Sequence, residues 1–499
     1  MQTNTQAVER ICESLRGKIM SAEDAAKLIH SGMSLGLSGF TSVGYPKAVP
    51  SALAASGHAR DLTILVGAAV GDDCDGALVR AGCVSKRFGH QTNADMRRAI
   101  NDGRVGFSDI HISQFPMNLR QRTLQRVDVA LVECVAVTEE GLYLAASAGS
   151  TDASVQVADQ VIVEVNSSVP TGLMGMHDFF DIGLPPRARI LPIEKPDDRI
   201  GTPYVPCPPE KIAAIVLTDK PDAPGKFKPV TEATARIGEN VVNFLHGEIA
   251  AGWLPENPGP IQSGVGSVGN AVLSCLSSSG FRGLSMYTEV MQDAALKLIE
   301  QGVFRFVSAS SVALAAESRA HFYENLDFFR DKILIRPQEI TNHPEVVRRL
   351  GVIALNTPVE VDIYGNVNST HQMGSKMLNG LGGSGDFARN ARLSIFATES
   401  TAKDGKISCI VPMVSHVDQT EHDVMVVVTE QGVADLRWKT PKERAELLIE
   451  NCAHPSFRPL LREYYEHALA VSSDKHTPHD LTQALSWHQR FLDTGSMLP

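Results

Sequence analysis

The sequence predicts an α/β protein in which mostly parallel sheets are flanked by helices. Three observations predict it. Short Val- and Ile-rich runs recur without polar alternation, as in strands buried on both faces. Amphipathic helical stretches separate most of them. Cap and stop residues fall where one kind of element gives way to the other.

In chain order, Ser21-Ala-Glu-Asp24 has the pattern of a capping box and opens a helix through Ile29, with Gly32 as its stop. A strand over 33–38 ends in Gly39-Phe40-Thr41, and further strands are expected over 62–66, 127–132, 160–165 and 212–217. Pro-rich, charged segments over 185–196, 206–209 and 220–228 break this rhythm and place a domain boundary near residue 220. Beyond it come a helix over 237–245, a Pro-rich loop over 255–260 and a strand–helix series to Leu436. Thr440-Pro441-Lys442-Glu443 is a second capping box, with Pro at the first helical position, for a helix through Ile449.

A chain of 499 residues exceeds what one hydrophobic core serves, so two or three domains are expected. With 43% apolar and 21% charged residues it is neither disordered nor fibrous. The net charge of −11 argues against nucleic acid or an anionic membrane as partner. It leaves room for an anionic small molecule, which reads local charge. No apolar run approaches the ~20 residues of a membrane span. The N-terminal stretch carries Glu9 and Glu13 and no apolar core, so no targeting peptide is expected. Eight dispersed cysteines without a CxxC suggest reduced thiols in a cytoplasmic enzyme.

Gly264-Val-Gly266-Ser-Val-Gly269 opens a helix through Leu276 and fits GxGxxG, whose amides suit phosphates or a developing oxyanion. Glu289 lies 20 residues after Gly269, as the ribose-binding acid of an NAD site does. Three readings stand open: a dinucleotide loop, a structural turn, or amide donors for another ligand. The segment 284–288 reads as a strand and Val290, Met291, Ala294, Ala295, Leu298 and Ile299 have helical spacing, which puts Glu289 at a strand's carboxyl end. There it is either a site residue or a helix-start acid stabilised by the macrodipole. Asn379-Gly-Leu-Gly-Gly-Ser-Gly-Asp386 is a second Gly-rich loop, either an anion-binding nest or a surface loop. His416, Asp418, Glu421, His422 and Asp423, and separately His476 and His479, lack the spacing of a metal site, so no metal is expected. Cys275 and Cys409 sit in apolar contexts as core residues.

Five motifs occur together and in order. They are Gln262-Ser-Gly-Val-Gly266, Tyr287-Thr-Glu289-Val, Asp362-Ile-Tyr-Gly-Asn-Val-Asn-Ser369, Asn379-Gly-Leu-Gly-Gly-Ser-Gly-Asp-Phe387 and Thr429-Glu-Gln-Gly-Val-Ala-Asp-Leu-Arg437. With Ser38-Gly-Phe-Thr41, Tyr45-Pro-Lys47 and Trp487-His-Gln-Arg490 at the two ends, the chain resembles the acetyl-CoA hydrolase/transferase family of class I CoA-transferases. The likeness is greatest to the succinyl-CoA:acetate and propionyl-CoA:succinate transferases.

The resemblance implies two CoA-transferase-type α/β domains, over 1–220 and 221–499, with the active site at their junction and the catalytic glutamate in the second. Glu289 would be the nucleophile and Asn342 its helper. Gly264, Val265, Gly266, Ser267 and Val268 would bind CoA, with Val265 and Gly383 as oxyanion donors. Asn379, Gly383, Val359 and Lys403 would make further CoA contacts, Lys403 to a phosphate. Ser267 stands where relatives usually have Asn, and Ala294 where Gly is common. The resemblance implies no tightly bound cofactor, CoA as substrate with short carboxylates such as acetate or succinate, and a homodimer. The same residues would also serve an acetyl-CoA hydrolase. An NAD-dependent oxidoreductase and a non-enzymatic acyl-CoA sensor are more distant alternatives.

Overall fold

The computed structural model describes residues 7–225 and 229–499; the expectations for the first six residues and for the end of the 220–228 linker lie outside them. The described chain forms two compact units. The first takes the residues up to 225 with Ser285–Ile299 and Arg305–Leu350; the second takes 229–284, Glu300–Phe304 and Gly351–Pro499.

In the first unit, β1 (Ser34–Leu37), β2 (Leu62–Leu65), β3 (Val84–Phe88), β4 (Gly106–Ser108), β5 (Val129–Val137), β6 (Leu142–Leu144), β7 (Gln160–Asn166) and β8 (Ile212–Thr218) make one sheet. Their order is β4-β3-β2-β1-β5-β7-β8, with β6 on β5. Every pair is parallel except β5–β6. The sequence therefore runs outward from β1 on one side and from β5 on the other, which makes their carboxyl ends a topological switch point. The five strands expected from apolar runs are β1, β2, β5, β7 and β8. All nine residues of β5 are buried, as its unbroken Val/Ala/Leu pattern requires.

Glu133 and Glu164 interrupt those apolar strands and are register partners across β5 and β7. Glu164 accepts the N–H groups of Lys47, Ala48 and Val49 at 2.8, 3.0 and 2.7 Å, at the start of the helix Ala48–Ser56. An anion is favoured there because the first amides of a helix lack intrahelical partners. Lys47 Nζ reaches Glu133 at 2.5 Å and Asp222 at 2.8 Å, all three side chains being buried. Burial pushes Glu133 up to about 8, against the lowering by Lys47, while Asp222 raises it further. For Lys47, burial pulls downward, but Asp222 and Glu133 outweigh it and hold the ammonium above the usual lysine range.

Hydrogen bonds bring the segment Arg305–Leu350 into this unit. Ile335 donates to Met176 and accepts from Asp178, and Arg336 pairs with buried Asp178 at 2.7 Å. Glu339 takes both bonds of its carboxylate from Arg120 at 2.6 Å. Its burial, with the nearby Asp152 charge opposing Arg120, pushes it up to about 7. The folded protein thus binds protons at Glu133 and Glu339 more tightly than the unfolded chain, whose glutamates titrate at 4.5. Their stabilisation is complete below that value and is lost as pH rises through 7 and 8. His177, pulled down to about 4 by burial, acts with the opposite sign only below its ordinary 6.5. The denaturant midpoint should therefore fall from about pH 6.5 to about 8.5. A midpoint that rises over this range would contradict the assignment.

In the second unit, β9 (Ile261–Ser263), β10 (Ile353–Asn356), β11 (Leu393–Ala397) and β12 (Val426–Thr429) lie side by side in parallel. β13 (Gly432–Asp435) closes this edge as an antiparallel hairpin partner of β12. The helix Pro441–Asn451 begins at the expected box, with the Thr440 side chain taking the Glu443 N–H and Glu443 taking the Thr440 N–H at 2.7 Å. At the N-terminal box, Ser21 accepts the Asp24 N–H at 3.1 Å, but the helix is only Ala22–Ala26. The helices Arg458–Ser472 and Ser486–Thr494 pack Leu461, Tyr464 and Trp487 into a core with Val427 and Leu448. Among the described residues, no helix is long and apolar enough to cross a membrane.

Candidate active site

Glu289 follows the strand Leu284–Tyr287 by two residues and belongs to the first unit, as does Asn342. Linker composition had placed Glu289 in the segment 221–499. It could not register the backbone bonds and buried ion pair that return Arg305–Leu350 to the earlier chain. Nor does a helix start at Glu289. Val290–Met291 form a short strand parallel to Ser311–Val312, and the helix is Asp293–Glu300. The Glu289 carbonyl accepts the N–H groups of Ser310 and Ser311 at 2.8 and 3.0 Å, and the Met291 carbonyl accepts that of Ala313 at 2.9 Å. Those bonds draw the chain into an extended form and remove the helix-start reading of Glu289.

The Glu289 side chain is 9% exposed, and its Oε1 accepts a hydrogen bond from Asn342 Nδ2 at 2.9 Å. The two residues that the resemblance pairs are thus in direct contact. Asn342 is fully buried, and its Oδ1 accepts from the Thr341 hydroxyl at 2.9 Å, which fixes the amide with its NH2 toward the glutamate. Asn342 ends the four-residue helix Gln338–Thr341. So short a helix needs outside support. Gln338 donates its N–H to Gly149 at 2.9 Å and its Nε2 to Ile112 at 2.8 Å, and Glu339 is clamped by Arg120. The Asn342 amide thus fixes the orientation of the Glu289 carboxylate oxygen that it holds.

The two Gly-rich loops belong to the second unit. Gly264 donates its N–H to Leu355 at 2.8 Å, tying the end of β9 to β10. Gly266, at φ +141°, caps the helix Ser267–Leu276 in a conformation that L side chains rarely adopt. A Cβ at Gly269 would stand 2.3 Å from the Gly264 carbonyl oxygen, so the third glycine is needed for the helix to close on the strand. Val265, between them, is half-exposed.

Ser267 and Val268 line a cavity of about 740 Å³ together with Val359, Gln372, Met373 and Lys403. Lys403 sits on the hairpin formed by Thr401–Ala402 and Ile407–Ser408, where Lys403, Asp404 and Gly405 all have positive φ. Two non-glycine residues held in that region mark a turn over-determined by its surroundings. The cavity reaches Leu378 but not Asn379 or Gly383. Asn379 donates to the Ser369 and Gly380 carbonyls at 3.1 and 2.9 Å, and Gly383 caps the helix Ser384–Asn390.

Glu360, on the cavity wall, belongs to a pair that sequence reasoning missed. Buried Glu360 accepts from His488 Nε2 at 2.8 Å and from the Ser415 N–H at 2.7 Å. The signal was an acid inside an apolar strand, as with Glu133 and Glu164. His416 and Asp418 lie 3.4 Å apart, while His479 faces the Tyr464 hydroxyl at 2.8 Å. Cys409 is buried at the cavity wall, with burial pushing its thiol up to about 12.

Residues 3–217 match the acetyl-CoA hydrolase/transferase N-terminal domain, and residues 319–465 match the C-terminal domain of the same family. The chain is 51% identical to the succinyl-CoA:acetate CoA-transferase of Clostridium kluyveri, over 97% of this chain and 90% of that one. It is 42% identical to the acetyl-CoA hydrolase of Schizosaccharomyces pombe, over 95% of each. Its fold matches the crystal structure of 4-hydroxybutyrate CoA-transferase from Porphyromonas gingivalis with a TM-score of 0.65 at 24% identity, over 91% of this chain and 99% of that one. An α/β chain with Glu289 held by Asn342 and a Gly-rich loop at the edge of a large cavity, matched along nearly its whole length, belongs to the acetyl-CoA hydrolase/transferase family of enzymes.

Proposed function

We propose that the protein is a CoA-transferase that moves CoA between a short acyl-CoA and a carboxylate of the acetate or succinate class, by ping-pong through a glutamyl-CoA thioester on Glu289. The observation that carries this reading is the buried Glu289 carboxylate, oriented by the Asn342 amide at 2.9 Å. The carboxylate attacks the thioester carbonyl, giving a mixed anhydride and CoA thiolate. The thiolate then attacks the glutamyl carbonyl and releases the first carboxylate, leaving Glu289 as its CoA thioester. A second carboxylate reverses both steps. No general base is needed, because an ordinary carboxylate is ionised at neutral pH.

Each tetrahedral oxyanion needs fixed donors, a role we assign to the amides of Val265 and Gly383. CoA is a substrate in this reading, held by Gly264, Gly266, Ser267, Val268, Val359, Asn379 and Lys403, and no tightly bound cofactor is required. The cavity of about 740 Å³ is large enough for much of such a ligand, with Lys403 on its wall for a phosphate. Lys403→Ala should raise KM for the acyl-CoA about tenfold and leave kcat within about twofold, as loss of one charge-assisted contact made equally in ground and transition states. An unchanged KM would remove Lys403 from the CoA contacts. Eight unpaired cysteines support a reducing, cytoplasmic location, and a symmetric homodimer is the assembly we propose.

The S. pombe relative named acetyl-CoA hydrolase supports a second reading, with water as acceptor at the same glutamate. The two separate on mixing the protein with acetyl-CoA and succinate. Succinyl-CoA formed many times faster than free CoA is the transferase result. Free CoA released at a rate that succinate and acetate do not change is the hydrolase result.

A further inference from the structure

We infer that Tyr287 is a positioning residue for the reaction, its hydroxyl setting the helix that carries Asn342 and thereby the aim of the Glu289 carboxylate. The inference rests on Glu289 being the nucleophile. Tyr287 ends the strand Leu284–Tyr287, and Glu289 follows it by two residues. Two bonds join this segment to the segment 340–342 in one register. Tyr287 Oη donates to the Ile340 carbonyl at 2.7 Å, and Asn342 Nδ2 donates to Glu289 Oε1 at 2.9 Å. Each spans 53 residues, so the pairs 287–340 and 289–342 act as two rungs of one clasp.

Both donors are fully buried, and the carbonyl that Tyr287 reaches belongs to the four-residue helix Gln338–Thr341. That carbonyl is also reached by the Asn342 N–H and by the His343 N–H at 3.2 Å, the hydroxyl bond of 2.7 Å being shorter than the latter. Burial raises the phenol far above neutrality, so it remains a donor at every working pH. Gln338 on Gly149 and Ile112 and Glu339 on Arg120 hold the first turn of this helix. At the end from which Asn342 projects, the Tyr287 hydroxyl fixes the backbone while the Thr341 hydroxyl holds the Asn342 Oδ1. A shift of the amide there moves the attacking oxygen, and misplacements of about 1 Å cost up to about 10²-fold in rate.

Tyr287→Phe removes one oxygen and keeps the packed ring. The expected result is a fall in kcat of about tenfold with KM for acetyl-CoA within about twofold, because the damage is to aim and not to CoA binding. A merely structural tyrosine would lower the denaturant midpoint and leave kcat alone. The decisive readout is the double-mutant cycle. In an Asn342→Ala background the same substitution should change kcat by less than about twofold, since its route to the glutamate is already cut. A kcat within about twofold of wild type in Tyr287→Phe alone, or an equal loss in both backgrounds, would overturn the inference. If the phenylalanine protein does not fold, p-aminophenylalanine at 287 retains a donor and must keep kcat within about threefold of wild type; a tenfold loss there also overturns it. Failure of the nucleophile reading is separate: it appears as activity in Glu289→Ala, whatever Tyr287→Phe does.

Discussion

Glu289→Ala is expected to lower kcat for CoA exchange by at least about 10⁴-fold, the scale on which removal of a covalent nucleophile acts. The fold should survive. The side chain is buried, and its loss leaves the Asn342 amide short of one acceptor, a cost of about 1–3 kcal/mol. Glu289→Asp keeps the charge but withdraws the carboxylate by one methylene from both Asn342 and any positioned carbonyl. It should lose about 10²-fold in kcat, with KM little changed. Steady-state exchange between labelled acetate and acetyl-CoA measures both. Activity of Glu289→Ala within a few-fold of wild type would end the nucleophile assignment, and near-normal Glu289→Asp would show that the geometry tolerates slack.

The second large effect is expected at Asn342. Alanine removes the donor that orients Oε1 and should cost about 10²-fold in kcat. Aspartate should cost more at neutral pH, for a different reason. It would set two buried carboxyls at hydrogen-bond distance, and two such groups cannot both ionise. The pair keeps one proton, which neutralises the nucleophile part of the time and raises its apparent pKa. Activity of Asn342→Asp should therefore rise with pH across the neutral range. Asn342→Ala has no such pair and should show no added alkaline limb. A flat profile for Asn342→Asp, parallel to that of the alanine variant, would mean that residue 342 does not contact the reacting carboxylate.

Much of the fold was legible because local signals agreed with the tertiary answer. β5 and β7 are buried along nearly their whole length and lie inside the first sheet. Thr440 and Glu443 exchange the bonds their spacing announces. The extended run after Glu289 was not legible, since Val290 and Met291 fit a helix equally well by period. Backbone bonds to Ser310, Ser311 and Ala313, some 20 residues on, decide the conformation. The packing of Arg305–Leu350 was not legible either. Linker composition marks where the chain is loose, whereas Arg336–Asp178 and Arg120–Glu339 decide where Arg305–Leu350 packs.

The site divides similarly. The pairing of Glu289 with Asn342 followed from the family resemblance, and their contact is present at 2.9 Å. Ser267, Val268, Val359 and Lys403, which share no local pattern, gather around one cavity. Lys47–Glu133–Asp222 and Glu360–His488 were missed because a single acid in an apolar strand does not name its partner.

The central claim is a covalent glutamyl-CoA intermediate, and peptide mass mapping after mixing the protein with acetyl-CoA, with no acceptor added, tests it most directly. The account predicts a CoA adduct on the peptide that holds Glu289, absent from Glu289→Ala and removed when acetate or succinate is added. An unmodified Glu289 peptide during rapid acyl-CoA turnover would contradict it.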